Sequence, residues 1–323
     1  MESLLWAFGA TVVVGLGAGV VLGVVYPLLR KGLLKRQPRR RATILLLLAT
    51  APGSLGLFFA GLLFISSLME FLGISAGHCH NHAERFPHIC LSEPAIFGSG
   101  ILPGYLYVPA ALLLAMFLAR QAIHLRENFR LKTALRQAEV EGGLDCSLVQ
   151  WRKPAAVTVG FWSPKVFLST TLARTLTPEQ LQVVLAHEQA HVRHRDPLRQ
   201  YLARTASVFY PGRVRGLIRE DLALATEQAC DEQAAEKTGD RLLVAETIIA
   251  VERLLGLSLK ESQPFSVGFS GSQSILRIEA LLAGGDYSDP VFPDWLLFSP
   301  PLFLTHLVLP GPVHYLTELV IRH

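Results

Sequence analysis

Residues 3–29, 42–69, 94–119 and 295–317 carry no Asp, Glu, Lys or Arg. Each run is long enough to cross a bilayer as a helix, which takes about 20 residues. The first three are expected to span. The fourth holds Pro300, Pro301, Pro310 and Pro312, so a full span, a re-entrant segment and an interfacial segment all stay open for it. The first run lacks a basic start and a small-residue cleavage site, and therefore reads as a span rather than a signal peptide. Its Gly15, Gly17, Gly19 and Gly23 have no strand–turn–helix context. They point to close helix packing in the membrane rather than to a nucleotide-binding loop.

Between the first two runs lie Arg30, Lys31, Lys35, Arg36, Arg39, Arg40 and Arg41 with no acid among them. A short basic loop of this kind stays on the cytoplasmic side. The segment 74–93 is then outside, and the third run returns to the cytoplasm, where Arg120, Arg126, Arg130, Lys132 and Arg136 follow. The expected organisation is a membrane region over 1–119, a cytosolic domain over 120–290, and a fourth membrane element over 291–323.

Composition agrees. Charged residues make up 17% of the chain, against about 25% in soluble domains. The net charge of +4 comes mostly from the basic loop and the stretch after the third run, which suits anionic lipid. No basic face with aromatic or motif support appears, so the bilayer is an expected partner and nucleic acid is not.

Inside the cytosolic segment, 120–140 reads as a charged helix. Runs 148–151, 155–159 and 165–169 are β-prone. Thr177 is then a good N-cap, Pro178 suits the first helical position and Gln180 sits where a capping-box partner belongs. Leu181, Val184 and Leu185 give an apolar face as this helix runs toward His194, and Asp196-Pro197 is expected to end it.

That helix carries His187-Glu188-Gln189-Ala190-His191. Four residues make about one turn, so both imidazoles leave one face and are able to hold one metal ion. Glu188 is placed beside them to take a proton from metal-bound water, whose pKa the metal lowers toward neutrality. A polar helix with two surface histidines is the plainer alternative. A catalytic zinc needs a third protein ligand, and Glu227 in the helix-compatible stretch 222–237 offers one. Asp231, four residues on, is suited to fixing the tautomer of a ligand imidazole. The plainer alternative here is a solvated acidic face with Glu232 and Glu236. Cys230 is read as a small buried residue rather than a ligand.

The segments Gly160-Phe161-Trp162-Ser163-Pro164-Lys165-Val166-Phe167-Leu168-Ser169, Leu185-Ala186-His187-Glu188-Gln189-Ala190-His191 with Arg195-Asp196-Pro197, and Glu227-Gln228-Ala229-Cys230-Asp231-Glu232 together resemble the BlaR/MecR-type membrane metallopeptidases. Tyr210-Pro211 resembles that family's aromatic-proline turn. The resemblance is close over roughly residues 100–240. It implies an α-helical membrane protein of three or four spans with an inserted α+β zincin-like (gluzincin) metallopeptidase domain. It further implies Zn2+ held by His187, His191 and Glu227, Glu188 as general base, and a strand near 165–169 that lies along an extended peptide substrate. The implied setting is a bacterial cytoplasmic membrane with the catalytic domain facing the cytosol. The implied substrate is a protein such as a transcriptional repressor. The sequence ends at His323, shortly after the fourth run, so a penicillin-binding sensor domain and antibiotic sensing are not expected. An HtpX-like quality-control protease and a non-catalytic signalling scaffold are the competing readings.

The outside loop carries His78, Cys79, His80, His82, His88 and Cys90. In an oxidising compartment a Cys79–Cys90 disulfide is the simplest expectation. A zinc or copper site built from these residues is the sharper one, and a sensor role for the loop would follow from it. Cys146 and Cys230 are expected to stay reduced in the cytosol.

Overall fold

The computed structural model describes residues 2–71, 107–142, 146–262 and 270–284. The loop with His78, Cys79, His80, His82, His88 and Cys90, the first part of the expected third span, and the whole of 295–317 lie outside the described residues. The described chain is mostly helical, with one small sheet.

Two long helices begin it, α1 (Glu2–Leu33) and α2 (Pro38–Phe71). Within them Thr11–Leu33 and Pro38–Phe59 are long and apolar enough to cross a membrane. Helix α3 (Tyr107–Gln137) takes up the end of the third expected span and the basic residues after it. It stops short of the expected helix end at 140, because Glu139–Gly142 forms strand β1 instead. There Glu139 accepts from the Ser147 hydroxyl at 2.7 Å and sits 3.3 Å from the Lys165 ammonium.

Strands β2 (Ser147–Val149), β3 (Ala156–Val159) and β4 (Lys165–Ser169) complete a sheet of order β1-β2-β4-β3. Strand β4 pairs with β2 in parallel and with β3 in antiparallel register. This corrects one expectation. With both edges of β4 already paired, no substrate strand has room to add to 165–169; the edge strands are β1 and β3. The turn from β3 to β4 needs Gly160, whose φ is 116° and whose Cβ, if it had one, would come 2.9 Å from the Ser163 carbonyl. Alternation along β4 sends Phe167 into a cluster with Leu135, Val149 and Val159. Leu168 goes into another with Leu172 and Leu176. Each such fully buried large side chain contributes roughly 2–3 kcal/mol.

After the short helix α4 (Thr170–Thr175), α5 (Pro178–His194) starts as its sequence signals predict. The Thr177 hydroxyl accepts from the Gln180 N–H, and the Gln180 side chain accepts from the Thr177 N–H. Helix α5 ends at Arg195 in the left-handed region (φ 54°, ψ 43°), the sole non-glycine residue with positive φ among those described. The expected stop at Asp196-Pro197 is thus also a start. With φ fixed, Pro197 opens α6 (Asp196–Ala206) in a new direction.

A 3-10 turn (Ser207–Phe209) leads to α7 (Gly212–Thr238), which begins ten residues before the helix expected over 222–237. Helices α8 (Arg241–Ser262) and α9 (Ser270–Leu282) close the fold. The first half of α7 packs on α1 and α2. One buried cluster joins Tyr26, Leu33 and Leu45 with Ala203, Tyr210, Ile218 and Leu222. Asp221 receives the Tyr26 hydroxyl at 2.6 Å and both arms of Arg30 at 2.6 and 2.8 Å.

The glycines of α1 acquire a definite partner here. A Cβ on Gly15 would meet the Phe209 ring at 2.8 Å, and one on Gly19 would overlap the Phe209 carbonyl. Their close approach is to the turn between α6 and α7 rather than to another long apolar helix. Helix-to-helix approach occurs instead at Gly56 of α2, against the Thr11 carbonyl, while Gly17 has nothing near it.

Candidate active site

One helical turn on α5 places His187 and His191 side by side, their Nε2 atoms 3.2 Å apart. Helix α7 crosses them and brings Glu227 to both: Oε2 lies 3.4 Å from His187 Nε2, and Oε1 lies 3.6 Å from His191 Nε2. The three residues form a group able to hold a metal ion.

The outer nitrogens fix what the inner ones offer. His187 Nδ1 lies 2.9 Å from Asp231 Oδ1, and His191 Nδ1 lies 2.8 Å from Asp196 Oδ2. A carboxylate only accepts, so each Nδ1 carries the proton and each Nε2 presents a lone pair. Two lone pairs and a carboxylate then converge within 3.2–3.6 Å, an arrangement that repels itself unless a cation sits between. Tetrahedral ligands about 2.0–2.1 Å from zinc would be about 3.3 Å from one another. The donor set therefore fits zinc. In the absence of metal a proton is the substitute. Burial alone would lower the His187 pKa, but Asp231 and Glu227 outweigh it and push it up to about 10.

The surrounding residues brace this group. Asp231, 1% exposed, receives Arg277 of α9 through Nε and Nη2, both at 2.7 Å. Arg277 also reaches Glu227 Oε2 with Nη1, at 3.2 Å. Burial would raise the pKa of Asp231; its bonds to Arg277 and His187 win and hold it below the ordinary carboxylate range. Glu227 is held low in the same way, by His187 and Arg277 against burial. Gln228, next to Glu227, donates to the Leu276 carbonyl at 2.8 Å and accepts from Arg41 of α2. Cys230 is fully buried behind His191, its Sγ 3.3 Å from Nδ1. Burial and the carboxylates of Asp196, Glu227 and Asp231 raise its pKa, so it stays a thiol. This is the small buried residue the sequence leads one to expect.

Glu188, 8% exposed, is positioned from the sheet: the Thr158 hydroxyl on β3 donates to its Oε2 at 2.6 Å. Ala155, Ala156 and Val157 border a cavity of about 1000 Å3 together with His187, Glu188 and Glu227. The edge strand β3 thus runs beside the candidate metal-binding group. Val183, Val244, Ile248 and Val251 give the cavity an apolar wall.

The structure brings together His187, Glu188, His191, Glu227 and Asp231. Sequence reasoning missed Asp196 as the partner of His191, Thr158 as the partner of Glu188, and Arg277 altogether. Asp196 has a signal in retrospect, because an Asp-Pro directly after the histidine helix must fold back on it. Thr158 and Arg277 have none.

Neither the curated proteins nor the solved structures give a match. The BlaR1 peptidase M56 family does, over residues 95–268. That segment includes β3, the His187–His191 turn and Glu227, while Arg277 lies beyond it. A metallopeptidase family, a paired-histidine helix and a convergent carboxylate agree, and the match covers more than half of the chain: the protein belongs to the BlaR1 peptidase M56 family.

Proposed function

We propose that the protein is a membrane-bound zinc endopeptidase, with its catalytic domain facing the cytosol of a bacterial cytoplasmic membrane, that cuts a cytosolic or membrane-proximal regulatory protein. The convergence of His187 Nε2, His191 Nε2 and Glu227, with the buried Glu188 beside them, is the observation that carries this reading. Zinc held by those three residues would supply Lewis acidity, activating water and polarising the carbonyl of the peptide bond. Glu188 takes a proton from the attacking water and hands it to the departing amide nitrogen. Thr158 orients the carboxylate that does so. Asp231 and Asp196 keep the two imidazoles in the ligating tautomer. An extended substrate adds to the free edge of β3, which has backbone groups to offer and runs past Glu188.

The basic loop between α1 and α2 supports the cytosolic orientation. The test is Glu188→Gln in the full chain. It keeps its zinc and loses cleavage; retained activity would overturn the mechanism. Comparing the membrane and cytosolic proteomes of cells carrying either form would reveal the substrate as a fragment present only with the unaltered protein. One discrete fragment fits regulation, whereas broad fragmentation of membrane proteins would mean quality control instead.

A further inference from the structure

Gln200, Ala223 and Gln273 line the cavity beside the metal-binding group and also a second cavity of about 400 Å3. The two spaces share a wall. The second is lined further by Arg204, Arg219 and Glu220. On α6, Gln200 and Arg204 are one turn apart; on α7, Arg219, Ala223 and Glu227 follow at the same spacing, so each set forms a row along its helix. Arg219 is about 12 Å along α7 from Glu227. An extended peptide covers that in three or four residues at about 3.3 Å each.

The guanidiniums here differ from others on the same helices and beside them. Arg30, Arg199 and Arg277 each hold a carboxylate. Arg204, Arg215 and Arg219 hold none among the described residues, Glu220 included. Burial and the neighbouring charges of Arg204 and Arg215 together depress the Arg219 pKa. Arg204 and Arg219 border the same open space and repel each other, and an anion entering it would turn repulsion into charge-assisted hydrogen bonds.

We propose that this second cavity is a specificity subsite that receives an acidic side chain of the substrate, three or four residues from the bond that is cut, with Arg204 and Arg219 as its partners. The inference rests on the peptidase reading above. The shared border at Gln200, Ala223 and Gln273 favours a substrate side chain over a lipid headgroup, because it sets the second space directly against the cleft beside Glu227.

The experiment digests a peptide library, prepared from a denatured proteome, with the full-length protein in phosphatidylcholine nanodiscs, and reads the residues flanking each cut by mass spectrometry. Asp and Glu are expected to be enriched at one position three or four residues from the cut. A matched Asp/Asn peptide pair should differ roughly tenfold in kcat/KM. Arg204→Glu with Arg219→Glu should invert the preference toward Lys and Arg, a gain that a misfolded chain cannot produce. Cleavage with no acidic preference, or a preference the double variant leaves unchanged, overturns the subsite while the peptidase stands. Unchanged preference with weaker retention on phosphatidylglycerol vesicles would assign the arginines to lipid and equally overturn it. No cleavage of any peptide would remove the peptidase reading, and the subsite with it.

Discussion

Arg277 grips Asp231 with two N–H···O contacts of 2.7 Å, and Asp231 in turn holds Nδ1 of His187 at 2.9 Å. A residue on α9 thereby sets the orientation of an imidazole on α5. Removing such a brace typically costs about 10–100-fold in metal affinity. Arg277→Ala is expected to weaken zinc binding within that range, measured by competition with a chelating dye. Arg277→Lys should recover little of it, because an ammonium cannot reproduce the two-armed grip while also reaching Glu227.

Zinc binding should also release a proton. Without metal, His187 is pushed up to about 10 and carries a charge at neutral pH. The stability this charge lends the metal-free fold is fully present below the unfolded value of about 6.5 and fades as pH rises through about 10. Zinc requires the neutral imidazole, so binding displaces about one proton from His187, and apparent zinc affinity climbs about tenfold per pH unit between 7 and 10. Calorimetric titration of the metal-free protein in two buffers of different ionisation heat measures the proton count. Affinity flat across that interval would show that His187 is not charged in the metal-free state.

Thr158→Val removes the hydroxyl that holds Glu188 without touching a metal-binding residue. The expected result is a drop of about tenfold in kcat with KM and zinc content little changed, since the loss falls on orientation of the base rather than on binding. Steady-state kinetics alongside zinc analysis would separate these. A changed zinc content would show instead that β3 supports the metal group as a whole.

The α1 glycines supply a stability comparison with a built-in control. Gly19→Ala drives a methyl into the Phe209 carbonyl and is expected to cost about 1–3 kcal/mol. Gly17→Ala meets nothing within 4 Å and should be neutral or slightly stabilising. Thermal unfolding of both variants in the same detergent checks the pair. Equal behaviour would mean that the α6–α7 turn does not sit against α1 in solution.

The parts of this protein that sequence makes legible are those whose signals are local. Thr177, Pro178 and Gln180 announce α5 because a cap acts within one turn, and the spacing of His187, His191, Glu227 and Asp231 follows from helical period alone. The β-prone runs are also visible, but not their order: periodicity cannot say which strand ends up at an edge, so nothing local can check the substrate strand at 165–169 that the family resemblance implies. Arg277 and Thr158 are ordinary residues in ordinary surroundings until chain folding carries them to carboxylates 46 and 30 residues away. The α1 glycines show that a close approach is needed without showing to what.

Helix α7 is shared property. Ile218, Leu222 and Ala225 are buried against α1 and α2, nine, five and two residues before Glu227 on the same unbroken helix. A chain begun after α2 would turn those side chains to water and strip Asp221 of Tyr26 and Arg30. Such a fragment would not be a soluble protease released from its anchor; it would be a protease missing a wall of its own interior. Detergent choice, lipid thickness and purification protocol thus act on the same packing that holds Glu227 in place, and the first sign of an unsuitable one should be lost zinc rather than visible aggregation.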